Sequence, residues 1–271
     1  YLEKMGVTTL SKNDENLALA LGGLDKGISP LQMAGAYATI ANDGEYIEPT
    51  FYTKAETSNK KTIVEVKQKK RRVFSKEVAY IVKELLTEPV KGSYGTATYC
   101  SISGMDVAAK TGTTDDNYDR WLCGFTPYYT CAVWGGYDDN KECDYDTSFR
   151  FRLWKGIMSR IHENLESKDF KVPTSVEKKS ICTITGKLAT NGCPSITEYF
   201  AKDTLPSETC SGHGYSSGRK YKSSTEDNDT TEDASSYSNN TGNSYNNNTG
   251  TTSDNTGGNT GGSTGGNTGG S

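Results

Sequence analysis

Lys110-Thr111-Gly112 follows the apolar, strand-like stretch Val107-Ala108-Ala109 and runs on into Thr113-Thr114. A lysine, hydroxyls and a bare glycine at a strand end are parts from which an acyl-transfer site can be built. The cation favours the deprotonated form of a neighbouring nucleophile and attracts a substrate carboxylate. The strand backbone can pair with an extended peptide and help to bind an oxyanion, and Gly112 permits close approach. Alone the triplet is a weak signal. At average residue usage about one chain in ten of this length contains such a triplet by chance, and a strand-end lysine with a glycine turn is the plain alternative.

A nucleophile for this lysine is harder to find. Serine and lysine stand three positions apart, as in S-x-x-K, at Ser58-Lys61, Ser175-Lys178 and Ser217-Lys220. Ser58 sits in a charged turn, Ser175 in a polar linker and Ser217 beside a polar tail. None opens an apolar helix that would hold a reactive serine, so all three read as chance matches. Ser11-Lys12-Asn13 lies in a polar stretch before Leu17 to Leu24 and reads the same way.

Metal chemistry is not expected. His162 and His213 are few and isolated, and the seven cysteines contain no C-x-x-C pair, which argues against a zinc ribbon. Cys182, Cys193 and Cys210 cluster in one stretch. They suit either a disulfide in an exported protein or reduced, buried thiols.

The elements that must position Lys110 can be read from pattern. Ser29-Pro30 opens a helix whose apolar face is built from Leu31, Ala34, Ala38, Ile40 and Ala41, and Asn42-Asp43-Gly44 ends it. A strand pair is predicted from Ile47 to Glu56 and Thr62 to Lys67 across the turn 57–61. The basic run Lys67 to Arg72 reads as a solvated strand end, with contact to an anionic surface as the alternative. Ser75 caps the next helix, in which Val78, Ile81, Val82, Leu85 and Leu86 form a core-facing stripe that Pro89 stops. Strand-like segments follow at Asp106 to Thr111, Arg120 to Thr126 and Thr130 to Tyr137, with Pro127-Tyr128-Tyr129 as a hairpin turn. A last amphipathic helix runs from about Thr147 to Leu165, with Phe151, Trp154, Ile157, Met158 and Ile161 on one side.

Composition divides the 271 residues. The overall hydrophobic share is 33% and the mean hydropathy −0.69. The stretch from Ser223 to Ser271 lacks Lys, Arg, Leu, Ile, Val, Phe, Met, Trp and Cys, and repeats Asn-Thr-Gly-Gly. It cannot bury enough surface to offset its ordering entropy, so a disordered tail is predicted, inert or serving as a wall-contacting tether. The net charge of −4 then falls mostly on the tail, leaving a nearly neutral body. That excludes a strongly basic nucleic-acid domain. No run approaches the length of a membrane helix, and no leader is visible before Tyr1, which opens in mid-pattern.

Longer segments carry a resemblance. Leu19-Ala20-Leu21-Gly22-Gly23-Leu24-Asp25-Lys26-Gly27-Ile28-Ser29-Pro30-Leu31-Gln32, with Ala36-Tyr37-Ala38 and Ala41-Asn42-Asp43-Gly44, resembles the transpeptidase domain of class A penicillin-binding proteins. So do Ala109-Lys110-Thr111-Gly112-Thr113-Thr114, Arg120-Trp121-Leu122-Cys123-Gly124-Phe125-Thr126-Pro127 and Ala132-Val133-Trp134-Gly135-Gly136-Tyr137-Asp138. Cys182 to Cys193, with Gly186-Lys187-Leu188-Ala189-Thr190, is similar to the region that follows that domain. The family uses three motifs, S-x-x-K, S-x-N and K-T-G, of which this chain shows the third.

The resemblance implies an α/β (α+β) serine-transpeptidase, β-lactamase-like fold, with a mainly antiparallel sheet packed by helices and incomplete at its N-terminus. It divides the chain into a transpeptidase part (1–170), a small cysteine-containing appendage (171–213) and a disordered tail (214–271). Lys110 would be catalytic, and Thr111, Gly112 and Thr113 substrate-binding. The two threonine hydroxyls would hold the substrate's terminal carboxylate, and the Thr113 backbone would complete the oxyanion hole. Ala109 departs from the family, where glycine is common. The nucleophilic serine, a membrane anchor and a glycosyltransferase domain would lie upstream of Tyr1. Implied partners are peptidoglycan stem peptides ending in D-Ala-D-Ala and β-lactams, with no cofactor, no metal and no nucleic acid. The implied place is the extracytoplasmic face of a bacterial membrane or the cell wall. Rival readings are a D,D-carboxypeptidase or β-lactamase-type hydrolase, and a non-catalytic wall-binding module. The long Leu19 to Gly44 signature and the appendage argue against the hydrolases. A wall-binding module would leave the K-T-G-T-T run without a task.

Overall fold

A computed structural model describes residues 1–143 and 146–213. The predicted tail, with Ser217-Lys220, lies outside the described residues. Short 3₁₀ turns lead from Glu3 to Leu21 into α1 (Pro30–Ala41). Ser29 and Gln32 form the capping box that starts it: the Gln32 N–H donates to Ser29 Oγ at 3.2 Å, and Pro30 occupies the first turn. Gly35, Ala36 and Thr39 are its buried residues, so the small side chains set a close approach.

The predicted strand pair resolves into two. β1 (Glu45–Ile47), β2 (Lys54–Glu56), β3 (Thr62–Glu65) and β4 (Lys70–Arg72) nest, with β2 paired to β3 inside and β1 to β4 outside. Ile47 belongs to the outer pair, because Pro49 lacks a ladder donor and interrupts the ribbon between them. The basic run is exposed, and its arginines hold the neighbouring chain. Arg71 Nε donates to the Lys4 carbonyl at 2.6 Å, and Arg72 to the Asp43 carbonyl.

α2 (Lys76–Lys91) starts at the predicted Ser75 cap but runs past Pro89, ending where the Gly92 N–H returns to the Glu88 carbonyl at 2.8 Å. Proline in the last turn removes one donor without breaking what little helix follows. The predicted stripe is also rotated. Ala79, Tyr80, Lys83, Thr87 and Val90 are buried, whereas Val78 and Leu85 are 47% and 64% exposed. Buried Lys83 is tied to Asp43 at 2.5 Å.

β5 (Ala108–Thr113), β6 (Asp119–Phe125) and β7 (Thr130–Gly136) form a three-stranded antiparallel sheet in the order β5-β6-β7. The β6–β7 hairpin closes on Thr126, whose N–H donates to the Tyr129 carbonyl at 2.9 Å. α3 (Phe149–His162) follows. Its Trp154 and Met158 are fully buried, joining Val90, Ala97, Cys100, Val107, Ala109, Leu122 and Val133 in one cluster. Ile157 and Ile161, expected on that face, are 42% and 44% exposed. The second cluster joins Tyr80, Ala108, Phe125, Phe170 and Val176, with Tyr37 and Ile40 of α1 packed against it. Residues of β5 alternate between the two clusters, so both faces of the sheet are covered by helices. β8 (Val176–Cys182) and β9 (Ser195–Ala201) pair as a separate antiparallel hairpin. It is fastened to α2 by the Ser175 hydroxyl, which donates to Glu77, and by the edge-to-face pair of Tyr80 and Tyr199 at 5.2 Å. Among the described residues no helix is long and apolar enough to cross a membrane.

Candidate active site

The K-T-G run lies wholly in β5, whose pairing with β6 sets Lys110 opposite Cys123, Thr111 opposite Leu122, Gly112 opposite Trp121 and Thr113 opposite Arg120. β5 is an edge strand, and among the described residues nothing pairs with its outer side. The phase of the ladder says which groups that side presents. Paired residues of antiparallel strands alternate between exchanging hydrogen bonds and not doing so. The Thr126–Tyr129 bond at the hairpin turns Gly124, Leu122 and Arg120 toward β7. Phe125, Cys123, Trp121 and Asp119 therefore serve β5, as the Thr114 N–H to Asp119 carbonyl bond at 3.3 Å shows. Their partners are Ala108, Lys110, Gly112 and Thr114. The backbone N–H and C=O of Ala109, Thr111 and Thr113 are left pointing out of the sheet.

Side chains follow the complementary alternation. Lys110 is exposed on one face, and half-buried Thr111 and exposed Thr113 stand on the other. At an edge strand the three flank the same unpaired backbone. Lys110 Nζ bends back to the outward Thr111 carbonyl at 2.9 Å. Thr96, from the loop after α2, places its hydroxyl 3.2 Å from that of Thr111. Sequence reasoning missed Thr96, because a lone threonine in a glycine-bearing loop has no pattern of its own. The bareness of Gly112 serves a neighbour inside the sheet: a Cβ there would stand 3.2 Å from Trp121 Cβ. The Ala109 departure is also accommodated. Its cross-strand partner is Gly124, where any Cβ would fall 2.9 Å from Ala109 Cβ and from the Trp154 ring.

The loop after β5 turns tightly through Asp116 and Asn117, at φ 54° and 59°, left-handed values that Asp and Asn tolerate. Asp119 stabilises its far side, accepting from Trp134 Nε1 at 2.7 Å while its N–H donates to Thr114 Oγ1 at 2.8 Å.

The described serines of the chance S-x-x-K and S-x-N matches lie outside the β5 strand. Ser58 is exposed between β2 and β3, Ser175 bonds Glu77, and Ser11 Oγ donates to Asp25 at 2.8 Å while capping a 3₁₀ turn. The thiols near the sheet are not substitutes. Burial pushes Cys100 and Cys123 up to about 12 and Cys131 up to about 11, so they stay protonated at neutral pH.

His162 is a core residue. Its Nδ1 donates to the Met158 carbonyl at 2.6 Å, and its Nε2 meets the Thr126 hydroxyl at 2.8 Å. His213 corrects the expectation that both histidines are isolated. Its Nε2 lies 3.0 Å from Cys182 Sγ and 3.3 Å from Cys210 Sγ, and Cys193 completes a group of four donors. The cysteines are free thiols, so neither the cluster nor any other described pair is a disulfide. Hydrogen bonds from Thr185, and then from His213 and the Ile184 amide, pull the Cys182 thiol down to about 5.

The family described as penicillin binding protein transpeptidase domain matches residues 2–148, and the family described as penicillin-binding protein 1A, C-terminal domain, matches residues 172–215. Penicillin-binding protein 1A of Clostridium botulinum (strain Langeland) is 38% identical over 217 residues, which are 77% of this chain and 26% of that protein. Penicillin-binding protein 1F of Bacillus subtilis is 39% identical over 68% of this chain and 27% of its own length. The chain thus spans about a quarter of the curated relatives it matches. The crystal structure of penicillin-binding protein 1A from Haemophilus influenzae superposes with a TM-score of 0.64 at 25% identity, covering 77% of this chain and 37% of that one. The PonA1 protein of Mycobacterium tuberculosis in complex with penicillin V gives 0.55 at 26% identity, over 64% and 51% of the two chains. This chain belongs to the penicillin-binding protein transpeptidase family, in its class A, penicillin-binding protein 1A branch.

Proposed function

We propose that this chain forms the K-T-G side of a peptidoglycan D,D-transpeptidase cleft, and that the attacking serine belongs to a segment outside these 271 residues. The observation that carries the reading is the open edge of β5. An extended stem peptide ending in D-Ala-D-Ala adds there as a further strand, bonding the outward groups of Ala109 and Thr111. The carbonyl of the penultimate D-Ala then lies by the Thr113 N–H, which stabilises the oxyanion formed on serine attack. Lys110 supplies the positive charge that lowers the cost of a serine alkoxide and draws in the carboxylate, and the Thr111 and Thr113 hydroxyls hold that carboxylate. Collapse of the tetrahedral intermediate breaks the peptide bond, and D-Ala leaves with a proton. A stem amine attacks the acyl-serine and restores the serine hydroxyl. A β-lactam enters by the same edge and stops at the acyl-enzyme.

The exposed apolar faces of α2 and α3 support the presence of further elements around this half-cleft, since large apolar side chains left in water mark contact surfaces. Membership of the family supports a position at the outer face of a bacterial membrane.

The test is covalent labelling with a fluorescent penicillin. The 271-residue chain should remain unlabelled. The longer protein carrying the upstream S-x-x-K should be labelled at that serine, and its product with stem peptides should be a cross-linked dimer. Stable labelling of the short chain at Ser58, Ser175 or Ser217 would refute the missing-nucleophile reading. A hydrolysed tetrapeptide as sole product would convert it to a carboxypeptidase.

A further inference from the structure

The appendage after Val172 is poor in core. Val176 is buried against the main body, while Val172, Ile184 and Ile196 are 44%, 65% and 50% exposed. At the far end of the β8–β9 hairpin the buried side chains are Ile181, Cys182 and Cys210. A unit of some 40 residues with so little apolar contact requires another fastening.

Four side chains meet at that end. Cys182 is the last residue of β8 and opens a tight turn, closed by the Gly186 N–H on the Cys182 carbonyl at 2.8 Å. Cys193 sits in the turn before β9, its N–H on the Thr190 carbonyl at 3.0 Å. Cys210 is held beside both by its own N–H on the Leu188 carbonyl at 2.8 Å, and His213 follows three residues later. Three sulfurs and the imidazole nitrogen all lie within 4.8 Å of one another, with Cys182 and Cys210 buried and Cys193 and His213 half-buried. Three separate turns thus deliver four soft or borderline donors to one point. The three cysteines sit on backbone that is hydrogen-bonded within the same unit.

We propose that Cys182, Cys193, Cys210 and His213 bind a single structural Zn²⁺ ion that staples the appendage. With Zn–S near 2.3 Å and Zn–N near 2.0–2.1 Å, a tetrahedral site has donor–donor edges of about 3.5–3.8 Å. The present 3.0 and 3.3 Å contacts open slightly and the longer ones, up to 4.8 Å, close. On binding, three thiols lose their protons to solvent and His213 donates the Nε2 lone pair. The four-ligand set leaves no open position, so the ion holds structure and activates no water. A disulfide would use two of the sulfurs, and would leave the third thiol and the imidazole without a task at the same point.

The signal was present in the sequence as Cys210-Ser-Gly-His213, a C-x-x-H pair, with Cys182 and Cys193 upstream. A search for C-x-x-C passes over it.

The test is elemental analysis of the purified 271-residue chain, together with thiol titration after denaturation. The expected result is about one zinc per chain and all seven cysteines as thiols once the metal is chelated. Cobalt substitution should give thiolate-to-metal charge-transfer absorption and the intense visible bands of a tetrahedral ion. Cys193→Ser and His213→Ala should each weaken zinc binding by more than the roughly 10–100-fold that loss of an outer-shell partner costs. Chain without stoichiometric zinc would overturn the proposal, whether two thiols are missing as a disulfide or all seven are free. Zinc retained unchanged in a variant lacking both Cys193 and His213 would overturn it too. Because metal content is read on the unaltered chain, misfolding of a variant leaves the proposal open to refutation.

Discussion

Replacing Thr113 by proline removes an N–H that the sheet does not use, whereas replacing Gly112 by proline removes one that it does. The difference follows from the ladder phase set at the Thr126–Tyr129 hairpin bond and seen again at Thr114–Asp119. Gly112→Pro deletes a β5–β6 bond and leaves the facing Trp121 carbonyl unpaired. A lost net bond of about 0.5–1.5 kcal/mol and an unsatisfied acceptor of about 1–3 kcal/mol put the loss near 3 kcal/mol. For a unit of this size that is a fall in Tm of roughly 6–12 °C. Thr113→Pro points its missing donor outward, where proline is tolerated at an edge, so the melting temperature should move by a third of that or less. In catalysis the order reverses. If the Thr113 N–H binds the oxyanion, its loss lowers the acylation rate of the longer, serine-bearing protein by about 10²–10³-fold. Thr113→Ala keeps the N–H and isolates the hydroxyl. The assays are thermal melting of the 271-residue chain and stopped-time labelling of the longer protein with a fluorescent penicillin. Equal destabilisation by the two prolines would refute the edge assignment, and wild-type acylation by Thr113→Pro would refute the oxyanion role.

Lys110→Ala should leave melting unchanged, since the side chain is exposed, while acylation in the longer protein falls by about 10²-fold or more; labelling kinetics measure it. Trp154→Ala empties the centre of the larger core cluster and should cost about 3–5 kcal/mol, read from the urea midpoint. Gly44→Ala should cost at least the roughly 1–3 kcal/mol of a strained backbone, because φ is 84° and the new Cβ would fall 2.4 Å from the Phe74 carbonyl; a thermal melt suffices. The Ser175 hydroxyl holds the Glu77 carboxyl down to about 2. Its folded pKa is below the unfolded value, so the stabilisation is present above pH 4.5 or so and is lost as the pH falls toward 2. Melting curves across that window should be flatter for Ser175→Ala.

Local chemistry carried much of the fold. Ser29-Pro30 with Gln32, and Ser75, announce helix starts, because a side-chain acceptor satisfies orphan amides within a few residues. The alternation and turn residues around Pro127 mark the β6–β7 hairpin for the same reason. The Lys110-Thr111-Gly112 run was legible as a motif, and the longer segments as family. What the residue pattern misjudged was orientation. Val78, Leu85, Ile157 and Ile161 are apolar at helical spacing, yet which face a helix buries depends on the surface it meets, and these remain 42–64% exposed.

By itself the sequence determined the helix caps, the hairpin, the K-T-G run and the family, since each is written in neighbouring residues. Tertiary structure alone decided that β5 is an edge strand with Thr111 and Thr113 presenting unpaired backbone, because ladder phase is set by a hairpin bond made in another strand. It alone brought Cys182, Cys193, Cys210 and His213 to one point, because 31 residues and three turns separate the first from the last.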